Sequence, residues 1–290
     1  MTGERLDVEL VRRGLARSRR RAAELVAAGL VRVGGEPVSK PSTSVPADSD
    51  VVVEGTDVDY VSRGGHKLTG ALDLIAGLET DPLVIVGARC LDVGASTGGF
   101  TQVLLERGAD HVLAVDVGHG QLAREVAEDP RVSVREGLNV RDLTADDVGT
   151  PPSVVVGDLS FISLTLVLPA LFAVVATGAD LLLLVKPQFE VGRTKLGNDG
   201  VVTSDRARAD AVLTVARAAS DRVVVHAVVP SPLPGPAGNR EYFLWLKDPA
   251  GTRLPVDLTG RLESAVEAAV HDSRACLVRP PHRGEPRKPA

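Results

Sequence analysis

The stretch from Cys90 to Glu106 constrains the fold of this chain more than any other segment. An apolar run ends at Asp92, turns through small residues between Gly94 and Gly98, and opens into a second apolar run. This order is typical of a strand, a glycine-rich turn and the N-terminus of a helix. Glycine lets backbone N–H groups approach an anionic or nucleotide ligand, and the helix dipole adds positive potential there. The segment therefore predicts a nucleotide-type cofactor site in an α/β fold.

The spacing of these glycines separates two classes of cofactor. Gly94-x-x-x-Gly98-Gly99 differs from the G-x-G-x-x-G of nicotinamide dehydrogenases. It is closer to the first motif of methyltransferases that use S-adenosylmethionine (SAM). A dehydrogenase is the nearest different enzyme, and a plain strand–helix connection is the alternative without a ligand.

Downstream of residue 84 the sequence alternates between strand and helix patterns. Strands are predicted at Arg89–Val93, His111–Val117, Val132–Glu136, Ser153–Asp158, Asp180–Lys186, Arg222–Val229 and Glu241–Lys247. Helices are predicted at Thr101–Arg107, Gly120–Glu128, Leu164–Val175, Asp205–Ala219 and 260–272. Nearly continuous apolar strands indicate a parallel sheet covered on both faces. The last strand follows a loop too short for a crossover helix, so we expect it to be antiparallel in a seven-stranded, Rossmann-like sheet.

Residues 5–47 predict a small α+β unit of basic character. A helical turn at 6–11 precedes Ser18, which is placed to cap a second helix, and two glycines then favour a hairpin. Residues 1–47 hold nine Lys and Arg against five Asp and Glu, although the whole chain carries a net charge of −5. Four arginines, at positions 17 and 19–21, cluster where cations oppose the helix dipole. We interpret the cluster as a phosphate-binding surface, with a solvated basic face as the alternative.

Composition limits the remaining classes of function. The two cysteines, Cys90 and Cys276, fit no metal spacing, and no metal site is predicted. The longest apolar stretch, Leu164 to Thr177, contains Pro169 and is too short to span a bilayer. We therefore expect a cytoplasmic protein with no membrane partner and no obligate protein partner. A membrane-lytic protein is the alternative from a different class, and it would require an apolar span or a strongly amphipathic cationic helix.

Polar residues stand at the carboxyl ends of four predicted strands, where open α/β sheets bind their ligands. Asp116 follows Gly94 at the sequence separation at which an acid usually binds a ribose diol. Asn139, after the next strand, is placed near an adenine. Asp158 and Lys186 end two apolar strands. On the motif and these strand ends, SAM is predicted to bind at Gly94, Ala95, Ser96, Gly98, Phe100, Asp116, Asn139 and Asp158.

Several motifs together resemble the TlyA family, whose members join an S4 RNA-binding domain to an FtsJ-like methyltransferase domain. The motifs are Asp92-Val93-Gly94-Ala95-Ser96-Thr97-Gly98-Gly99-Phe100, Gly157-Asp158-Leu159-Ser160-Phe161-Ile162-Ser163, Val185-Lys186-Pro187-Gln188-Phe189-Glu190 and Gly238-Asn239-Arg240-Glu241-Tyr242-Phe243. The helix–helix–hairpin at 5–47 resembles the S4 domain. The resemblance implies a class I SAM-dependent methyltransferase that methylates the 2′-OH of cytidine in ribosomal RNA.

The same resemblance implies roles for individual residues. A catalytic tetrad would consist of Lys67, Asp158, Lys186 and Glu241, and RNA would be bound by Arg5, Arg17, Arg19, Arg20 and Lys40. The chemistry agrees, because a ribose hydroxyl is a weak nucleophile that must be aligned and must lose a proton. The sequence leaves open whether Lys186 acts as a neutral base or as a cationic clamp. It also leaves open a catalytically inactive RNA-binding protein, against which a complete tetrad argues.

The expected domain boundaries follow from these motifs. Residues 1–59 would form the S4-like domain, 60–66 an interdomain linker and 67–272 the methyltransferase domain. Lys67 is expected at the start of a helix that runs to Leu78. The Pro-rich and charged tail at 273–290 is expected to be disordered.

Overall fold

The computed structural model describes residues 3–16, 18–27, 29–46, 49–53, 60–78, 82–192, 196–197, 199–249 and 259–278. The chain divides into two compact units, residues 1–59 and residues 60–290. Of the part of the chain that is described, no helix has the length and apolar character needed to cross a bilayer.

The first unit packs two helices against short antiparallel strands. Its elements are β1 (Glu4–Arg5), α1 (Leu6–Arg12), α2 (Arg19–Ala27), β2 (Val31–Val33), β3 (Glu36–Pro37), β4 (Ser44–Val45) and β5 (Val51–Val53). β1 pairs with β4, and β2 lies between β3 and β5. Leu6, Leu10, Leu25 and Val31 form its small core. Ser18 accepts a hydrogen bond from the Arg21 N–H at 3.1 Å, which confirms the predicted helix cap.

The second unit is built on one large sheet. Its strands are β6 (Arg89–Val93), β7 (His111–Asp116), β8 (Val132–Glu136), β9 (Val154–Gly157), β10 (Asp180–Val185), β11 (Val224–Pro230), β12 (Tyr242–Lys247) and β13 (Cys276–Leu277). They follow the order β13-β11-β12-β10-β9-β6-β7-β8. β12 is antiparallel to both β10 and β11, which confirms the predicted orientation of that strand. β6 to β10 pair in parallel, as their apolar runs predict.

Helices cover both faces of this sheet. They are α3 (Arg63–Ala76), α4 (Gly99–Glu106), α5 (Arg124–Ala127), α6 (Ala145–Val148), α7 (Leu168–Val174), α8 (Pro187–Glu190), α9 (Asp205–Ala219) and α10 (Thr259–His271). Successive strand residues point to opposite faces. Leu91 therefore joins the core beneath α7, α9 and α10, whereas Cys90 joins the core beneath α3 and α4. Because helices cover both faces of the sheet, the carboxyl ends of its strands are where a ligand would bind.

The structure differs from the sequence-based expectations at four places. α3 begins at Arg63, so residues 63–66 are helical and Lys67 lies a full turn inside the helix. The helix predicted at 120–128 is reduced to α5, and the one at 164–175 is a 3₁₀ turn followed by α7, with Pro169 in the first turn of that helix. Cys276–Leu277 pair with β11 as an edge strand within the tail expected to be disordered, so the described part of the sheet has eight strands rather than the seven predicted. Residues 279–290 lie outside the described residues.

Candidate active site

The glycine-rich turn between β6 and α4 has a backbone that only glycine adopts easily. Gly94 and Gly98 have φ of 82° and 93°. A Cβ on Gly94 would lie 3.0 Å from the Asp158 carbonyl oxygen, and one on Gly98 would lie 2.9 Å from the Leu122 side chain. The register of β6 on β9 pairs Val93 with Gly157, which explains why the turn lies beside Asp158.

Asp116 supports this turn from the end of β7. Its Oδ2 accepts the Ser96 N–H at 2.8 Å, and its Oδ1 accepts the Gly118 N–H at 2.7 Å. Ser96 is itself in a left-handed conformation, with φ of 48°. Each carboxylate oxygen has a further lone pair, so Asp116 can brace the turn and still accept hydrogen bonds from a ligand.

Two predicted cofactor residues have structural roles of their own. The Phe100 ring is buried and stacks on Phe243 with a centroid distance of 6.0 Å, so its side chain belongs to the core. Asn139 caps the 3₁₀ turn Val140–Asp142 by accepting the Arg141 N–H at 3.1 Å. Ala95 is also buried. The structure brings the turn residues Gly94 to Gly98 together with Asp116 and Asp158, and the backbone of Leu138, next to Asn139, donates to the Asp116 carbonyl.

Asp92 is a buried carboxyl beneath the turn that sequence analysis did not single out. It is 0% exposed, and its Oδ2 accepts a hydrogen bond from Thr101 Oγ1 at 2.7 Å. Burial raises its pKa to about 7, the Thr101 bond acts in the opposite direction, and the charge of Asp158 adds to the rise. An acid inside an otherwise apolar strand was the signal that could have identified it.

Lys67 and Glu241 form a buried ion pair. Lys67 Nζ lies 2.6 Å from Glu241 Oε2, and Lys67 is 5% exposed. Burial raises the pKa of Glu241, whereas the charges of Lys67 and Lys186 act in the opposite direction. Lys67 therefore extends from α3 to the start of β12, where Glu241 neutralises its charge.

Lys186 and Asp158 form a second ion pair at the same edge. Lys186 Nζ lies 2.6 Å from Asp158 Oδ1 and donates to Ser160 Oγ at 2.7 Å. β10 and β12 pair Val185 with Tyr242, which places Lys186 and Glu241 at adjacent strand ends. The structure thus brings the four predicted tetrad residues together as two ion pairs beside the glycine-rich turn.

The loop that follows Asp158 presents an aromatic side chain to solvent. Phe161 has φ of 64°, is 91% exposed, and lies 5.3 Å from the Phe189 ring between centroids. Glu190 holds the far end of the loop, since it accepts the Ser163 hydroxyl at 2.6 Å and the Leu164 N–H at 2.8 Å. Sequence analysis did not assign Phe161 to the site, because only the structure shows that this apolar residue is exposed.

The predicted RNA-binding residues of the first unit lie in varied surroundings. Arg5 and Arg19 both contact the Asp7 carboxylate, and Arg20 lies 3.7 Å from Glu24 with a largely exposed side chain. The segment that carries Lys40 reaches the start of α1, because the Asp7 N–H donates to the Pro41 carbonyl at 2.9 Å. Arg17 lies outside the described residues.

Known proteins resemble both units of this chain. The profile of FtsJ-like methyltransferases matches residues 60–248, and that of the S4 domain matches residues 4–52. The 16S/23S rRNA (cytidine-2′-O)-methyltransferase TlyA of Mycobacterium tuberculosis is 52% identical over 272 residues, which cover 92% of this chain and 97% of that protein.

Two further relatives carry hemolysin names. Hemolysin A of Brachyspira hyodysenteriae is 35% identical over 82% of this chain and 98% of its own length. A solved structure from Streptococcus thermophilus, also called a hemolysin, is 36% identical and has a TM-score of 0.68 over 94% of this chain and 97% of its own. Family profiles and relatives agree over nearly the whole sequence. The chain belongs to the TlyA family of methyltransferases, with an N-terminal S4 domain followed by an FtsJ-like catalytic domain.

Proposed function

We propose that this protein transfers a methyl group from SAM to the ribose 2′-OH of cytidine in ribosomal RNA of the small subunit, the large subunit or both. The observation that carries the proposal is the convergence of the Lys67–Glu241 and Lys186–Asp158 pairs beside the glycine-rich turn. The name of the Mycobacterium tuberculosis relative supports the substrate and the position of methylation. Its 52% identity extends over both the S4 domain and the catalytic domain.

The residues around the turn fit SAM. Gly94 and Gly98, both with positive φ, leave the turn free of Cβ atoms at two positions, and the backbone N–H groups of Ser96 and Gly118 lie beside Asp116. In this proposal the turn holds the methionine portion, Asp116 the ribose, and Asn139 the neighbourhood of the adenine. When bound, SAM supplies an electrophilic methyl group to an oxygen nucleophile.

The tetrad would orient the target hydroxyl and accept its proton. Lys186 lies in an ion pair with Asp158, an arrangement that favours a cationic clamp: the ammonium orients the ribose oxygen while the Asp158 carboxylate accepts the proton, directly or through Nζ. Lys67, fixed by Glu241, adds a second positive charge next to the developing oxyanion. The reaction thus needs only alignment, electrostatic stabilisation and one proton acceptor from the protein.

The S4 domain would supply affinity for the RNA backbone without taking part in the chemistry. Exposed arginines such as Arg19 and Arg20 contribute phosphate contacts, which carry no sequence information by themselves. The target nucleotide would then be selected in the catalytic domain.

Transfer of tritium from labelled SAM tests this function. The purified full-length chain is incubated with deproteinised 16S and 23S rRNA and with intact ribosomal subunits, followed by nucleotide mapping. The proposal expects label in the ribose of cytidine and no need for another protein. Label on a base, or on the ribose of another nucleotide, would overturn it. A Lys186→Ala variant that transfers as much label as the native chain would overturn the proposed roles of the tetrad.

A further inference from the structure

Asp7 joins two arginines of the first unit through one buried carboxylate. It lies in the first turn of α1 and is 5% exposed. Arg5 Nε and Nη2 lie 2.9 and 3.0 Å from its two oxygens, and Arg19 Nε and Nη2 lie 3.2 and 3.0 Å from Oδ2. The hydrogen bond from Arg5 is the main cause that lowers the pKa of Asp7 to about 2. The carboxylate is therefore charged at any working pH.

Both arginines remain available to a partner. Their side chains are 48% and 62% exposed, although each guanidinium is fixed at the Asp7 end. A guanidinium carries five N–H donors, so each arginine retains donors that Asp7 does not use. Lys40 lies in the segment that reaches α1 through the hydrogen bond from the Asp7 N–H to the Pro41 carbonyl. Positive groups from β1 and α2 thus meet at the start of α1, and the backbone of the segment that carries Lys40 adjoins them.

We propose that Asp7 is a positioning residue for RNA binding, which holds the guanidinium groups of Arg5 and Arg19 side by side to receive the phosphate backbone. The inference rests on the proposed function in one respect, namely that the first unit binds ribosomal RNA. Arginine matches phosphate geometry through its planar fork, and an ordered fork loses less conformational entropy on binding than a free one.

If charge alone determined RNA affinity, Asp7 would weaken RNA binding instead of strengthening it. A carboxylate at an RNA-binding surface repels phosphate, so its removal should tighten binding and steepen the salt dependence. Preorganisation predicts weaker binding after the same change, because both arginines become mobile. Asp7→Asn adds one unit of positive charge and releases both side chains, so the sign of the change in affinity decides between the two.

Glu9 provides a matched control on the same helix. It is 1% exposed, and its Oε1 lies 2.6 Å from Arg12 Nη2 and 2.5 Å from Arg13 Nε. Arg13 also donates to the Ser49 carbonyl at 2.7 Å, which ties it to the fold of the unit. Glu9→Gln makes the same change in charge and loses a comparable pair of buried contacts, but it leaves Arg5 and Arg19 in place.

The test measures binding of deproteinised 16S and 23S rRNA by the full-length chain over a range of salt concentrations. Asp7→Asn should weaken binding at least fivefold, roughly the lower end of the cost of ordering two long side chains. Glu9→Gln should bind as tightly as the native chain or more tightly. In a background with Arg5→Ala and Arg19→Ala, adding Asp7→Asn should cause no further loss. The KM for RNA should rise in Asp7→Asn while the single-turnover rate at saturating RNA and the SAM affinity stay unchanged.

Three results would overturn the inference. If Asp7→Asn bound rRNA as tightly as Glu9→Gln, the Asp7 carboxylate would act only through its negative charge and not by positioning the arginines. Asp7→Asn could weaken the Arg5→Ala, Arg19→Ala background further, which would trace the loss to unfolding of the unit. The native chain could also fail to bind rRNA, which would overturn the proposed function as well. A native chain that binds rRNA but transfers no methyl group overturns only the proposed function.

Discussion

Lys67 Nζ lies 2.6 Å from Glu241 Oε2, although 174 residues separate them in the sequence. Both side chains are buried, and among the described residues no hydrogen-bond donor reaches Glu241 Oε1. A buried ion pair is weak evidence for stability, because desolvation can exceed the Coulombic gain. The pair is better explained by a function that needs a fixed ammonium and an available acceptor at this edge of the sheet.

Replacing one partner of this pair should lower the free energy of unfolding more than replacing both partners. Lys67→Met and Glu241→Gln each leave one buried polar partner uncompensated, and each should lower the free energy of unfolding by about 3–5 kcal/mol. The double variant should recover part of that loss, while all three variants lose methyl transfer. Denaturant unfolding of the single and double variants measures the coupling. The exposed Arg124–Glu128 pair is the control, and its coupling should be near zero. Additive effects of Lys67→Met and Glu241→Gln would show that the pair does not act as a unit.

Lys186→Ala should reduce the single-turnover rate of methyl transfer by about 10²–10⁴-fold, the range typical of general acid–base groups. The SAM affinity should stay nearly unchanged, because Lys186 makes its polar contacts with Asp158 and Ser160, and the Asp158 carboxylate and the glycine-rich turn both remain in the variant. Rapid-quench measurement under single-turnover conditions separates chemistry from product release. Lys247→Ala is the matched control, since that lysine lies at the opposite end of β12. A folded, SAM-bound Lys186→Ala with a normal rate would make Lys186 structural.

Asp116→Ala should weaken SAM binding by about 1–3 kcal/mol if the carboxylate accepts ribose hydroxyls. Calorimetry on the native chain, Asp116→Asn and Asp116→Ala gives the measurement. Asp116→Asn keeps an acceptor for the Ser96 N–H and separates bracing of the turn from ligand binding. Unchanged affinity in Asp116→Ala would remove this residue from the cofactor site.

Local patterns predicted the sheet well, because its strands are apolar runs bounded by turns. Arg89–Val93 and Val132–Glu136 have the predicted bounds. The start of α3 was wrong, since the glycines at 64 and 65 read as a loop. Both are helical, and Gly65 is required by packing rather than by a turn: a Cβ there would lie 2.3 Å from the Tyr60 ring.

Strand ends and the family resemblance predicted the residues of the site, but not how those residues pair. Asp158 and Lys186 each follow an apolar strand, so sequence alone placed them at one edge. The partner of each charge depends on contacts between distant segments, and no local pattern contains the bonds from Lys186 to Ser160 or from Lys67 to Glu241. The motif predicted Phe100 as a cofactor residue. Its ring instead packs on Phe243, and no local pattern reveals a contact between segments so far apart in the sequence.

Asp92 should make the stability of the catalytic domain depend on pH. Its pKa is raised from 3.8 to about 7, so the folded chain keeps a proton between these values that the unfolded chain has released. The stability associated with this group is fully present below pH 3.8 and is lost as the pH rises through about 7. Asp92→Asn should remove this loss, because an amide oxygen still accepts the Thr101 bond. The melting temperature of Asp92→Asn should therefore exceed that of the native chain at pH 8, and the difference should shrink toward pH 4. Parallel curves for the two proteins would contradict the assignment.

Phe161 should bind an RNA base by stacking. It is 91% exposed beside the Lys186–Asp158 pair, and φ of 64° is a costly conformation for an aromatic residue. A ligand that stacks on the ring would account for both the strain and the exposure. Phe161→Ala should weaken productive RNA binding by about 1–3 kcal/mol, the usual worth of one stacked base, and raise the KM for RNA.

The salt dependence of RNA binding should distinguish Phe161→Ala from a variant that lacks an arginine. Phe161→Ala should leave the slope of RNA affinity against salt unchanged, because stacking releases no counterions. SAM affinity should also be unchanged, and Phe161→Gly should melt at the same or a higher temperature because it relieves the positive φ. Leu166→Ala, which removes another exposed apolar side chain, is the control. A Phe161→Ala protein with native KM and single-turnover rate would show that the exposed ring does not contact the RNA, and the target nucleotide would then have to be held by the ion-paired lysines alone.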